Sequence, residues 1–264
     1  FFVRADGLAA DSLQGLRPVF FEMLLDFAEP FACVLKHANP CGAAIGKTLA
    51  EAYQKAYDSD PLSAYGSIIG LNKQVDIDCA QILHETPFVE CILAPSFSDE
   101  AMTLLQKKKN RRILTLEAIA AGRPSGETAY RYIRGGVLVQ SADDRVTDKA
   151  ELQVVTKRPP TQKEITDLLF GWKVVKHTKS NAIILARGTK TVGIGAGQMS
   201  RVESAEIAES DRAAGQVFLL RHIEIAEAQQ LRYKVFTQEM GARLPTAQLE
   251  MDIDPFDPLC DHLL

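Results

Sequence analysis

The sequence predicts an α/β fold. Two observations carry this: short apolar runs alternate with amphipathic stretches along the chain, and several of the amphipathic stretches open on Thr/Ser-x-x-Glu capping boxes. Phe31 to Leu35 is the first apolar run and reads as a buried strand. A polar segment, Lys36 to Gly46, leads to Thr48-Leu49-Ala50-Glu51, which opens a helix through about Tyr57. Ser67 to Leu71 and Val89 to Ala94 are further strands, the second ended by Pro95. Ser98 caps a helix with Ala101, Leu104 and Leu105 on one face. Its end, Lys107 to Arg112, reads as a solvated helix terminus, because cations suit the C-terminal dipole; the competing reading is a phosphate patch. Turn-rich segments at 121–126 and 141–144 and the boundary Arg158-Pro159-Pro160 precede a second box, Thr161 to Glu164. The helix it opens presents Ile165, Leu168, Leu169 and Trp172 at helical spacing, as core residues. Thr191 to Gly195 is a short strand, and Ser200-Arg201-Val202-Glu203 a third box.

Composition bounds the function class. The 264 residues carry 30 Lys+Arg against 34 Asp+Glu, a net charge of −4, with 46% apolar and 24% charged residues. Such a chain is globular rather than disordered and long enough for one large domain or two. The mild negative charge gives no reason to expect nucleic acid or an anionic membrane as partner. No apolar run approaches the roughly 18 residues of a membrane span, and a cytoplasmic protein is expected. Cys33, Cys41, Cys79, Cys91 and Cys260 lack C-x-x-C spacing and read as reduced thiols. With His37, His84, His177, His222 and His262 they form no metal-ligand pattern, so no metal is expected.

Three stretches could carry chemistry. Lys36-His37 sits where a strand ends, followed by Asn39-Pro40-Cys41-Gly42. Sites in open α/β sheets lie beyond strand ends. An ammonium beside a histidine favours the neutral imidazole, able to accept a proton, and can itself stabilise an oxyanion. A surface lysine beside a structural histidine is the alternative. Val34 to Asn39 resembles Val174 to Lys179, which suggests a duplicated unit. Gly193, Gly195 and Gly197 before the third box would let backbone approach an anion, or simply make a tight turn; the run is neither a dinucleotide fingerprint nor a Walker loop. Asp60 to Gly66 and Ser180-Asn181 are weak signals alone.

Together these segments resemble a known family. KHANPCG (36–42), DPLSAYGSIIGLN (60–72), FVECILAPSFSDEAMTLLQKKKN (88–110), WKVVKHTKSNAI (172–183) and TVGIGAGQMSRVESAEIA (191–208) match the aminoimidazole carboxamide ribonucleotide (AICAR) transformylase domain of the PurH bifunctional purine biosynthesis family, in its order. The resemblance implies a duplicated, three-layer cytidine-deaminase-like α/β fold without the deaminases' zinc. It implies formyl transfer from 10-formyltetrahydrofolate to the 5-amino group of AICAR, on the way to IMP. Carried over, His37 is the general base and Lys36 stabilises the transition state. Gly66, Glu90, Asn181 and Arg201 match AICAR-contacting positions, and Val202 a folate-contacting one. A homodimer is also implied.

The pattern stops after about Ser210, short of the family's SDAFFPF-type and GGS-type segments, and the RYGxNPHQ-type segment ahead of the match is not found. The second repeat is therefore expected to be incomplete and turnover to be impaired, the alternative being a non-catalytic module. The expected division is a first subdomain over 1–150, a partial second over 151–210 and a distinct fragment over 211–264. From about residue 217 the chain resembles the start of a GNAT-type, hemolysin-like acyltransferase; Asp252, Asp254 and Asp257 there read as a solvated turn, not a cation site.

Overall fold

Strands that are apolar on both faces need cover on both faces. The computed structural model shows how that is met; it describes residues 18–210 apart from 146, 148, 150, 151, 156 and 157. A five-stranded sheet is built from β1 (Phe31–Lys36), β2 (Asn39–Ile45), β3 (Ser67–Leu71), β4 (Val89–Ala94) and β5 (Arg112–Thr115), in the order β2-β1-β3-β4-β5. β1 runs antiparallel to β2 and β3, while β3, β4 and β5 are parallel. One face receives helices α2 (Leu49–Tyr57), α3 (Ile77–Glu85) and α4 (Asp99–Leu105). There Ala32, Val34, Ile69 and Ile92 pack with Ala52, Tyr53, Cys79, Leu83 and Leu105. On the other face α1 (Pro18–Leu25) and α5 (Gln162–Lys176) bring Met23, Leu24, Phe170 and Val174 against Phe31, Cys33, Leu35 and Ile68. Successive β1 residues thus feed opposite cores, as the period of a strand requires.

The helix starts follow their caps. Oγ1 of Thr48 accepts from the Glu51 amide at 3.1 Å, and Oγ of Ser98 from the Ala101 amide at 3.2 Å. Thr161 and Glu164 complete a reciprocal capping box. At the third box only half is made: the Glu203 amide reaches Ser200 Oγ at 3.4 Å, opening α6 (Arg201–Ser210).

Several expectations change. The polar segment after Lys36 contains β2, an edge strand in this sheet, where Pro40 is tolerated. Trp172 is not core: it is 62% exposed, and Phe170 and Val174 are the buried residues of α5. The inward stripe is offset from the one read along the sequence because the helix meets the sheet through Phe170, which packs on Phe27. Lys107 to Arg112 is not wholly solvated either, since Arg111 is buried. The two Lys-His pairs are not equivalent: Lys36 ends a strand, whereas Lys176 ends α5 and His177 caps it.

A different repetition is present. β8 (Ile183–Ala186) and β9 (Thr191–Gly195) form an antiparallel hairpin followed by α6, as β1 and β2 are followed by α2. A Cβ on Gly42 would stand 1.9 Å from the Ala56 carbonyl oxygen of α2, and one on Gly193 would stand 1.9 Å from that of Ala208 in α6. In both units a bare strand backbone lets the following helix lie directly on it. The β9 unit docks on β2 through the Ala44–Lys190 bridge, the Ala43 amide donating to Thr191 Oγ1 at 2.9 Å, and Ser59 Oγ donating to the Thr191 carbonyl at 2.8 Å. A third hairpin, β6 (Thr128–Ile133) with β7 (Gly136–Ser141), is exposed along nearly its whole length.

Candidate active site

β1 and β2 pair as far as Lys36 with Asn39, so His37 and Ala38 alone make the turn. A two-residue hairpin needs positive φ in its loop, and His37 supplies it at φ 56°. The turn thereby sets His37, an exposed residue, at the sheet end next to Lys36. Lys36 Nζ donates to the Tyr65 carbonyl oxygen at 2.6 Å. The next residue, Gly66, has φ 72°, and a Cβ there would stand 3.2 Å from Lys36 Nζ and 3.3 Å from the Phe88 ring. Glycine at 66 therefore lets the ammonium and the turn meet. The Gly66 amide donates to the Phe88 carbonyl at 2.7 Å, which ties this turn to the start of β4 and hence to Glu90. Glu90 is half-buried and pairs with Arg112 at 3.1 Å. This cluster lies at the carboxyl end of β1 but at the amino ends of the parallel strands β3 and β4. The reversed direction of β1 accounts for the difference.

Asn39, which closes the loop, connects the first unit to the second. Its Oδ1 accepts from the Lys179 amide at 3.1 Å, and the Gly197 amide donates to the Lys179 carbonyl at 2.7 Å. Asn181 Nδ2 donates to the carbonyls of Gln198 at 3.1 Å and Met199 at 2.9 Å, and Ser204 Oγ donates to the Asn181 carbonyl at 2.8 Å. This ladder sets the start of α6, where Arg201 is exposed and Val202 half-buried. The glycine segment is thus a strand-to-helix turn braced by Asn181. Lys36 is brought against the turn at Gly66, and Asn181 is linked to Asn39 through Lys179 and the Gly197–Gln198 backbone. Asp60 makes a local turn, its Oδ1 accepting from the Ser63 amide at 2.9 Å.

Sequence reasoning missed Asn39 as the connector, although it lies inside the KHANPCG segment. It also missed what holds the second Lys-His pair. Asp26, its side chain 1% exposed, accepts from Arg123 Nε at 2.7 Å and lies 2.6 Å from His177 Nε2 and 3.3 Å from Lys176 Nζ. Arg123 also pairs with Glu22. Burial pushes the Asp26 carboxyl up, but the hydrogen bonds from His177 and Arg123 and their charges outweigh it and hold it at about 2. Lys176 and His177 therefore fasten α1 to α5, and no local pattern in the sequence signals it. Among the described residues no cluster of three or more His, Cys, Asp or Glu could hold a metal ion, and no helix is long and apolar enough to cross a membrane. Cys33, Cys79 and Cys91 are buried and Cys41 half-buried, and these four are not joined in disulfides; Cys260 lies outside the described residues.

Comparison with known proteins gives two family matches. The model for the AICARFT/IMPCHase bienzyme matches residues 18–211, and that for an acetyltransferase (GNAT) domain matches residues 231–264, which lie outside the described residues. Among similar proteins, the bifunctional purine biosynthesis protein PurH of Anoxybacillus flavithermus is 47% identical over 199 residues, covering 74% of this chain and 38% of that protein. The PurH of Bacillus subtilis is 49% identical over 187 residues, covering 71% of this chain and 36% of the relative. That of Halalkalibacterium halodurans is 49% identical over 195 residues, covering 73% and 38%. The chain thus spans well under half the length of these relatives.

Proposed function

The chain belongs to the AICARFT/IMPCHase bienzyme family, and on that premise we propose that it carries the catalytic pair and part of the nucleotide site of an AICAR formyltransferase of purine biosynthesis. The observation that carries this reading is the hairpin loop that presents His37 while Lys36 is held against the Gly66 turn. The 5-amino nitrogen of AICAR attacks the formyl carbon of 10-formyltetrahydrofolate, and His37 takes the proton the amine loses. The Lys36 ammonium stabilises the oxyanion that forms at the formyl oxygen. Collapse breaks the bond to N10, which takes up a proton as tetrahydrofolate leaves. Gly66, Glu90, Asn181 and Arg201 hold AICAR and Val202 touches the folate. The residues act without a metal.

The two hairpin–helix units, each with a glycine beneath its helix, support a duplicated cytidine-deaminase-like fold, with a first subdomain over 1–150, a partial second over 151–210 and an acyltransferase-like fragment over 211–264. The exposed β6–β7 hairpin, with Tyr132 83% exposed and Val139 61%, supports a homodimer, because an isolated two-stranded hairpin is marginal by itself. The expected setting is the cytoplasm.

Calorimetric titration with AICAR tests the site. Saturable binding is expected, weakened about 10- to 100-fold by Arg201→Ala, the effect of losing a charge-assisted hydrogen bond. His37→Ala should bind within about threefold of the parent, since a general base acts on the barrier more than on the ground state. An absence of binding, or equal affinity in Arg201→Ala, would remove the reading.

A further inference from the structure

β8 is the counterpart of β1 in the second unit, and the two strands differ in one respect. Phe31 to Leu35 of β1 are buried, whereas every residue of β8, Ile183 to Ala186, is half-buried. Missing cover on the faces is not the reason. Ile184 and Ala186 pack on the core that holds Phe170 and Val174 of α5. Leu185 lies on the side of α6, its Cδ1 3.3 Å from where a Cβ on Gly193 would stand. The difference is lateral. β1 lies between β2 and β3, while β8 pairs with β9 and carries no strand on its other edge among the described residues. An apolar strand with a row of unpaired backbone groups along one edge is a template for one more strand.

The first unit shows which strand belongs there. After α2, residues 58–66 lead into β3, which lies antiparallel on β1 from Leu35–Ile68 to Ala32–Leu71. α6 runs the same course as α2. Cβ atoms on Gly195 and Gly193 would meet the carbonyls of Ser204 and Ala208 in turn. The helix therefore ends beside Gly193, opposite Leu185 and near the carboxyl end of β8, where an antiparallel neighbour of β8 would begin. The longest unbroken apolar run after Ser210 is Val217-Phe218-Leu219-Leu220, bounded by Gly215-Gln216 and Arg221-His222. Such a run suits a strand covered on both faces. The added strand would lie two strand spacings to the side of β9 and one layer from α6, each roughly 10 Å, and the linking residues 211–216 can span roughly 20 Å. Neither family match reaches the run, since one ends at 211 and the other begins at 231.

We propose that Val217 to Leu220 adds to the free edge of β8 as an antiparallel strand and completes the sheet of the second unit. The boundary of that unit then moves from 210 to about 220. The proposal rests on the two hairpin–helix units being one repeat, and not on the formyltransferase reading.

Hydrogen exchange of the full chain, resolved at single amides, tests it. Successive amides of an antiparallel strand point to its two neighbours in turn, so all the amides of 183–186 should exchange slowly. Slow exchange at alternate amides alone would overturn the proposal. Leu219→Pro removes an N–H and cannot sit inside a sheet. It should speed the alternate β8 amides about tenfold or more by opening that edge, and leave the β1 amides within about twofold; unchanged β8 exchange contradicts the proposal. Ile184→Cys combined in turn with Val217→Cys, Phe218→Cys, Leu219→Cys and Leu220→Cys, oxidised and located by peptide mapping, should cross-link within one chain in at least one pair, because opposed Cβ atoms of neighbouring strands stand roughly 5 Å apart. No cross-link within a chain refutes it. Cross-links between chains only, or β8 protection that falls on dilution, would place a second copy on this edge and likewise refute it. If Leu219→Pro fails to fold, the cross-linking and the parent's exchange pattern decide.

Discussion

Replacing Asp26 by Asn keeps the shape of the side chain and removes its charge. The loss can be sized from the geometry: Arg123 at 2.7 Å, His177 at 2.6 Å and Lys176 at 3.3 Å surround a side chain 1% exposed. Breaking a buried ion pair from one side typically costs about 3–5 kcal/mol, because the partner cations stay buried. Against a total stability of roughly 5–15 kcal/mol, that is a large fraction. A urea titration followed by circular dichroism should show the midpoint falling by about 1–2 M, for a slope of roughly 2–3 kcal/mol/M. The pH dependence follows from the lowered carboxyl. It drops from 3.8 to about 2 on folding, so its contribution, about 2 kcal/mol by linkage, is fully present above pH 4. It is lost as pH falls through 2, where Asp26 is protonated in the folded state too. The gap between parent and variant should therefore narrow in strong acid. A midpoint unchanged at neutral pH would refute the view that Asp26 fastens α1 and α5 through the second Lys-His pair.

Other outcomes follow from single contacts. Gly42→Ala and Gly193→Ala each place a Cβ 1.9 Å from a helix carbonyl; overpacking of about 1–3 kcal/mol should lower the melting temperature by roughly 3–10 °C. Phe170→Ala should cost about 3–5 kcal/mol, whereas Trp172→Ser, at a position 62% exposed, should stay within about 0.5 kcal/mol, both read by the same melts. Gly66→Ala meets a φ of 72° and crowds Lys36 Nζ at 3.2 Å. It should lower formyl transfer by about tenfold or more, a displaced group near the reacting atoms being costly, with the product quantified chromatographically.

What the sequence made legible was whatever one local rule decides. Phe31 to Leu35 and Ser67 to Leu71 are strands because both faces are buried, and the unbroken apolar run says so. Thr48, Ser98 and Thr161 each accept the amide three residues on, so these helix starts were readable from residue type alone. β2 was not, because Asn39-Pro40-Cys41-Gly42 has turn composition and becomes a strand only by pairing with β1. The inward face of α5 was misjudged at Trp172, since the angle at which a helix meets a sheet is a tertiary fact. The Lys-His match pointed to duplication through residues that play different parts, while the glycines under α2 and α6 show the repetition in the backbone. At the candidate site the motifs named Lys36 and Gly66, which the fold brings together, and His37, which it sets in the adjoining loop. Asn39 and Asp26 act across more than a hundred residues of sequence, beyond the reach of any spacing rule.

The most direct measurement of the central claim is single-turnover formyl transfer from 10-formyltetrahydrofolate to AICAR by the 264-residue chain, compared with His37→Ala. Slow transfer is expected, reduced about 10²- to 10⁴-fold when the general base is removed. Equal rates in parent and His37→Ala, or no formylated product from the parent, would contradict it.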